Sequence, residues 1–409
     1  MYKILGKKNY LLLLCANIIN RIGDSIDTIA FSWLVYAFTG EGTWAALVFA
    51  VNKIPSVVIL PLAGAYVEKK EKKQVMILCD IIRAILVVIL LVSIMTDHLS
   101  LVMLLVFSFA ISLAEAFRVP AGISFITQLL GKEELSHGVT LNVVFSTIAQ
   151  VLGTAIAGII ISSVGVNAAF GIDVGTFVVS IILIILIRHQ EQIKDALKEE
   201  NSFVIFKEGL RYIRKKKILL YVILFAVFAN AIMAPVDSLQ TAVVVDIFGQ
   251  NAAYLSVLNI CLTVGMLLAS AAYSVVRSKV KEKLLFVFSC GYIAVLYLLV
   301  AILDHFGIAV MGAWYYGLIV CYFFYGLFAG FLATGLGLVL LEHTEQEYMA
   351  RTNTIYSALG EAIIPVASAM TGLLVSFLPI SVLFFGIAAW ILIMLLALVP
   401  IGIRMLHKE

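Results

Sequence analysis

Apolar runs of bilayer length recur along almost the whole chain, and they limit what it can fold into. A transmembrane helix needs roughly 20 predominantly apolar residues. The sequence supplies twelve candidate runs, at about 10–38, 44–67, 74–96, 100–128, 138–162 and 166–188, then 218–245, 252–276, 284–303, 311–340, 350–376 and 380–403. Composition agrees. Of 409 residues 63% are hydrophobic and 13% charged, with a mean hydropathy of +1.09, where a soluble domain is about 45–50% apolar and about 25% charged. The expectation is an all-α polytopic membrane protein of twelve transmembrane helices. The first run is of full span length and lacks a small-residue cleavage site, so it reads as a membrane helix and not as a cleavable signal.

Most links between runs are short and carry turn or charge signals, as in Thr39-Gly40-Glu41-Gly42 and Thr96-Asp97-His98. Residues 189–217 are the exception, a long polar stretch that divides the chain into two sets of six spans. The expected organisation is therefore a six-helix bundle over 1–188, a cytoplasmic linker over 189–217 and a second bundle over 218–409. Of the 28 Lys and Arg residues, four (Arg21, Lys53, Arg83 and Arg118) lie within spans, and the remaining 24 fall in segments on one side. The opposite loops hold only the acids Glu41, Asp97, Asp246 and Asp304. By the positive-inside rule both termini are expected to face the cytoplasm.

Within the first span, Asn20-Arg21-Ile22-Gly23-Asp24-Ser25-Ile26-Asp27 interrupts the apolar run. At 3.6 residues per turn Asn17, Asn20, Asp24, Asp27 and Phe31 share one side of the helix. A carboxylate at bilayer depth costs a few kcal/mol even on lenient scales, so that side must face protein or a water-filled cavity. The bland alternative is that these groups only hold helices together. At about 1.5 Å of rise per residue, Asp24, Lys53 and Glu361 fall near the midplane, together with Gln150, Asn230 and Asn259, while Asp27 and Asp237 fall somewhat further out. Asp24, Asp27, Asp237 and Glu361 are thus the candidates for proton coupling. Lys53 is the nearest cation to the first-span acids, and an ion pair is expected, with Asp27 before Asp24. Lys53, Gln150, Asn230 and Asn259 are assigned to a substrate cavity, where Phe31, Trp33 and Tyr356 could stack on a solute. Asp80, Arg83, Glu115 and Arg118 fall in the inner half, beside the loop bearing Glu68, and are expected to form a cytoplasmic gate.

The two halves echo one another: Ala65-Tyr66 precedes the basic loop 68–73, and Ala272-Tyr273 precedes the basic loop 277–283. Parallel six-span repeats describe the major facilitator fold, with a midplane site and alternating access. Gly64-Ala65-Tyr66-Val67-Glu68-Lys69-Lys70-Glu71-Lys72-Lys73 resembles that superfamily's loop motif G-x-x-x-D-R-x-x-R/K-R/K, with Glu68 for Asp and lysines for arginines. The resemblance implies a gating role for Gly64, Glu68, Lys69, Lys72 and Lys73. Five further pieces follow in order: Asp80-Ile-Ile-Arg83, Phe117-Arg118-Val119-Pro120-Ala121, Lys132-Glu133-Glu134-Leu135, Ile172-Asp173 with Thr176-Phe177, and Glu208-Gly209-Leu210-Arg211-Tyr212-Ile213. Together they resemble the macrolide-efflux and enterobactin-exporter branch of the superfamily. The fifth span keeps that branch's small residues in Gln150-x-x-Gly153-Thr154-Ala155-x-Ala157-Gly158, which close helix packing would also explain.

Those readings converge on proton-coupled export of an amphipathic or hydrophobic small molecule by alternating access in the cell membrane. Uptake or facilitated diffusion of a small metabolite is the alternative within transport, and a lipid flippase or scramblase the alternative outside it. The expected partners are a small-molecule substrate, protons and membrane lipids, with no nucleic acid, no metal and no cofactor; the protein is expected to be a monomer. All six histidines fall in loops or at span ends, and no nucleophile stands beside a base, so no enzymatic activity is expected. The five cysteines, Cys15, Cys79, Cys261, Cys290 and Cys321, sit in apolar runs and read as small core residues.

Overall fold

The computed structural model describes residues 6–59, 63, 66–67, 70–189, 202–307, 313–345 and 348–405. Among these, thirteen α-helices follow in chain order. They are α1 (Lys8–Thr39), α2 (Gly42–Val58), α3 (Lys72–Met95), α4 (Leu101–Leu129), α5 (Lys132–Ser163), α6 (Val166–Ile185), α7 (Ser202–Lys215), α8 (Lys217–Ala242), α9 (Ala252–Arg277), α10 (Glu282–His305), α11 (Ala313–His343), α12 (Met349–Val375) and α13 (Ile380–Met405). A π-helical turn, Val243–Ile247, continues α8. In hydrocarbon no water is on hand for backbone groups, so helices that satisfy their own N–H and C=O groups are the natural outcome for such runs.

Among the described residues nine helices are long and apolar enough to cross a membrane, and two apolar stretches, Gly42–Val58 and Ile380–Leu396, are shorter. The helix α1 has the length, but its own Arg21, Asp24 and Asp27 lower its apolarity. The second expected span, 44–67, is helical over Gly42–Val58, while 60–62 and 64–65 lie outside the described residues. Large apolar side chains stand exposed all along these helices, among them Val92, Ile159, Leu373 and Ile393. On a water-soluble monomer contiguous apolar surface on this scale would be a liability; against lipid tails it carries no penalty.

Helix ends follow local chemistry. Gly40 adopts the left-handed region at φ 68 and donates its N–H to the Tyr36 carbonyl, ending α1 as a C-terminal glycine does. Ser100 and Asn251 cap α4 and α9 by accepting from the Met103 and Tyr254 N–H groups.

The chain divides into two compact units, Met1–Gly40 with Val48–Phe206, and Glu41–Leu47 with Lys207–Glu409. In the first unit α1 lies against α5 and α6, and α3 against α4 and α6. Lipid gives helices no hydrophobic reason to associate, so close approach over small residues has to supply the contact. Gly153 is such a point, since a Cβ there would stand 2.6 Å from the Ile22 carbonyl oxygen of α1. The small-residue reading of the fifth span therefore has a physical basis at that position. In the second unit α9 meets α11, α8 meets α12, and α10 meets α13. Gly265, Gly326 and Gly330 let the α9 and α11 backbones approach closely.

Candidate functional site

The polar face of α1 meets polar and charged side chains of α3, α4, α5 and α6 inside the first unit. Arg83 of α3 is 1% exposed and pairs with Asp24 of α1 through Nη2 and Oδ1. Its guanidinium also lies over the Phe177 ring of α6, 4.5 Å from the centroid, a favourable cation–π placement for a desolvated arginine. Nearby, the fully buried Asp80 accepts from Arg118 Nε of α4 at 2.6 Å and from Ser180 Oγ of α6 at 2.7 Å. Asn20 of α1 reaches the same carboxylate at 3.4 Å, and Arg118 Nη1 reaches Asn17 Oδ1 at 3.5 Å. Asn17 in turn bonds Asn142 of α5 at 3.0 Å, and Arg21 bonds Gln150 of α5 at 3.2 Å.

This arrangement merges two groups that depth counting had separated. Arg83 was expected in a gate layer and Asp24 near the midplane, yet they form one ion pair. Counting rise per residue follows Cα atoms and ignores the length of an arginine side chain. The pairs Arg83–Asp24 and Arg118–Asp80 both join helices of the first unit. Glu115 contributes its charge to the surroundings of Arg83 and Asp27. Lys72 Nζ donates to the Lys70 carbonyl, and Lys73 Nζ donates to the Ile185 and Ile187 carbonyls at 2.9 and 2.8 Å. Lys73 thus sits where the C-terminal end of α6 attracts a cation. Gly64, Glu68 and Lys69 lie outside the described residues.

The ion pair expected for Lys53 is not formed among the described residues. Its ammonium lies 5.3 Å from the Phe49 ring centroid, and Asp24 is taken by Arg83. The reason is packing: α2 turns toward α4, with Asn52 donating to the Ser108 carbonyl and Ser108 to the Val48 carbonyl. Of the aromatic candidates, Phe31 is buried edge-on to Phe170 with centroids 6.4 Å apart, and Trp33 is half-buried.

In the second unit Asp237 of α8 accepts from the Tyr325 hydroxyl of α11 at 3.3 Å. Just before it, Tyr297 of α10 inserts its hydroxyl into the helical ladder of α8. It donates to the Ile232 carbonyl at 2.7 Å and accepts from the Val236 N–H at 3.1 Å. Pro235 stands beside this break and the π turn Val243–Ile247 follows it; inserted side chains, prolines and π turns are recognised sources of local bending. Asn230 ties α8 to the Gly360 carbonyl of α12 at 2.9 Å, and Asn259 ties α9 to Gln240 of α8 at 3.1 Å. Glu361 lies within electrostatic reach of Tyr356 on the same helix, α12.

Residue types and spacing alone did not single out Asp173, Ser180, Tyr297 or Tyr325. Asp173 carried a signal, being an acid inside an apolar run; the hydroxyls carried none. The five cysteines are free, as their spacing suggested.

A bundle of apolar helices with buried charges held across helix contacts defines a multi-pass membrane protein of the transporter type. The profile of the transmembrane secretion effector family matches residues 2–318, so the chain belongs to that family of the major facilitator superfamily. Macrolide efflux protein A of Streptococcus pyogenes is 20% identical over 356 residues, covering 87% of this chain and 86% of the relative. The uncharacterized MFS-type transporter YkuC of Bacillus subtilis is 25% identical over 296 residues, 69% of this chain and 68% of its own. Among solved structures, the nucleoside transporter NupG superposes with a TM-score of 0.77 at 12% identity, covering 95% of this chain and 98% of that one. A bacterial homologue of the iron transporter ferroportin, in an inward-facing state, gives 0.69 at 13% identity, covering 95% and 98%. At such identity these two structures speak to the fold.

Proposed function

We propose that this protein exports an amphipathic or hydrophobic small molecule across the cell membrane in exchange for protons, by alternating access, with both termini in the cytoplasm. The observation that carries the reading is the buried charge inventory of the first unit. Among the described residues, the buried Asp27 and Asp173 and the half-buried Asp24 and Glu115 all lie within electrostatic reach of Arg83, while Arg118 pairs with Asp80. Buried ionisable groups in membrane helices are costly and are kept for ion or proton pathways. The efflux relatives support the direction and the chemical class of the cargo. Asp24 is the first coupling candidate because it stands on the polar face of α1 and pairs with the buried Arg83 of α3. Asp237, two residues after Pro235 in α8, and Glu361 are the candidates in the second unit. The Arg118–Asp80 pair, with Lys72 and Lys73 at the start of α3, is assigned to closing the cytoplasmic side.

The test is flux in proteoliposomes under an imposed pH gradient, read with a panel of macrolides and amphipathic dyes. Saturable, gradient-driven flux that a protonophore abolishes, and that Asp24→Asn loses at equal reconstitution, is the expected result. Flux that ignores the gradient, or an Asp24→Asn protein as active as its parent, would overturn the coupling.

A further inference from the structure

Asp173 and Asp27 are the two carboxyls among the described residues that are buried with an oxygen left without a hydrogen-bond partner. Asp173 is completely buried, two turns into α6. Its Oδ1 accepts from the Thr176 hydroxyl at 3.3 Å and lies so close to α1 that a Cβ on Gly23 would stand 2.6 Å from it. Its Oδ2 has no hydrogen-bond partner among the described residues. Asp27 follows Gly23 by four residues and so occupies the same face of α1, one turn on. It too is buried, 9% exposed, and its Oδ1 is without a partner among the described residues. From α3, Arg83 gives Nη2 to Asp24 but leaves Nε and Nη1 without partners. Two unpartnered oxygens and two unpartnered N–H groups therefore share one buried neighbourhood.

Charge makes this arrangement informative. Asp173 and Asp27 feel Asp24 of α1, Arg83 of α3 and each other or Glu115 of α4. The remaining neighbour, α5, has no titratable residue between His137 and Ser163. Four carboxyls thus face one guanidinium, and full ionisation would leave three uncompensated negative charges. Buried groups in that position take up a proton rather than hold the charge, and two acids in one site do not both ionise. A protonated carboxyl also gains an O–H donor, which can satisfy an otherwise unpartnered carboxylate oxygen.

We propose that Asp27 and Asp173 share a proton across the contact between α1 and α6, and that Arg83 is the switch that reads it. While the pair holds the proton, Arg83 stays on Asp24. When the proton leaves to solvent, the pair gains a negative charge and the free Nε–Nη1 edge of Arg83 turns to it, releasing Asp24. The idea rests on the proton-coupled reading above and names the groups that hold the proton.

The experiment is infrared spectroscopy of the full-length protein in lipid nanodiscs, following the carbonyl stretch of protonated carboxyls and its shift in D2O. The parent should show this band in neutral buffer. Asp173→Asn and Asp27→Asn should each remove it, because one acid fewer leaves the site one negative charge less and no pair to hold the proton. Arg83→Gln, which takes away the positive charge, should strengthen it. If Asp173→Asn does not fold, Asp173→Glu keeps the acid and should move the band to the glutamic acid position. A parent without a protonated-carboxyl band, or a band that all of these variants leave unchanged, would overturn the proposal. The readout needs neither substrate nor gradient, so it separates from the flux assay. Gradient-independent flux with a band lost in the Asn variants sinks the coupling and leaves the pair standing.

Discussion

The Arg118–Asp80 pair offers the sharpest test of how the first unit is held together. Asp80 is wholly buried and Arg118 5% exposed, and they meet at 2.6 Å. Both carboxylate oxygens are used, Oδ1 by Arg118 and Asn20 and Oδ2 by Ser180. Replacing Arg118 by Gln leaves that carboxylate with only neutral donors. Breaking a buried pair from one side costs about 3–5 kcal/mol, because the remaining charge is uncompensated. Around the unfolding midpoint, about 1 kcal/mol shifts a unit of this size by roughly 2–4 °C. Arg118→Gln should therefore lower the apparent melting temperature in detergent by about 6–20 °C, taking the product of those two ranges.

Asp80→Asn should fall by a similar amount, since it strands the guanidinium. The double variant should recover much of the loss, because no charge is left unpaired, giving a coupling of about 0.5–3 kcal/mol. Scanning fluorimetry on all four proteins, at one scan rate because membrane proteins often unfold irreversibly, completes the cycle. Losses that simply add, or a shift of less than about 2 °C in Arg118→Gln, would refute the account of this pair as a buried, mutually dependent contact.

Two further outcomes are expected. Gly153→Leu should destabilise the protein by about 1–3 kcal/mol through overpacking, since even a Cβ would stand 2.6 Å from the Ile22 carbonyl oxygen; Gly171→Leu, where nothing lies within 4 Å, should fold like the parent, and equal thermal stability of the two variants would contradict the packing. Where α7 meets α8 in the second unit, Lys216 bonds Glu345 at 2.7 Å, and Tyr212 stacks on Tyr348 at 4.2 Å between centroids. The hydrogen bond from Lys216 holds the Glu345 carboxyl below its ordinary 4.5 and raises Lys216 above 10.5. The carboxylate's contribution is thus present above the unfolded value and lost as pH falls through the lower folded one, while the lysine's is present below its unfolded value and lost as pH rises through the raised one. Protection of α7 amides, taken against the intrinsic exchange rate at each pH, should fall as pH drops below 4.5 in the parent and be lowered already at neutral pH in Glu345→Gln; neutral-pH protection that the variant leaves untouched would rule the contact out as a clamp.

Much of the fold was legible because lipid simplifies the reading. Runs such as 74–96 and 166–188 correspond to α3 and α6 within a few residues, since an apolar run of that length has few ways to satisfy its backbone other than as a helix. Gly40 marked a helix end through chemistry that acts within four residues. The site was legible only as far as one helix could show it. The polar face of α1 announced Asn17, Asn20, Asp24 and Asp27, because a period of 3.6 residues is written into the sequence.

What faced that side was not written there. Lys53 was assigned to α1 because the two helices are joined by a short link, yet chain neighbours need not be packing neighbours, and α2 spends its contacts on Ser108 of α4. Arg83 was placed in another layer because depth was counted along the backbone. Asp173 stood in a motif whose order and spacing were visible, but its meaning depends on Gly23, a residue in a different helix, lacking a side chain. A partner that consists of an absence leaves no trace in either segment read alone. The same holds for Tyr297, whose hydroxyl takes a place between Ile232 and Val236 that any straight helix would have closed on itself. In both cases the information lies in the pairing of two segments. For a transporter this has a physical consequence, since contacts made across helices are the ones a conformational change can exchange. The buried charges of the first unit are therefore best sought by asking which donors and acceptors are left over after packing. Asp27, Asp173 and Arg83 are the charged side chains among the described residues that answer that question.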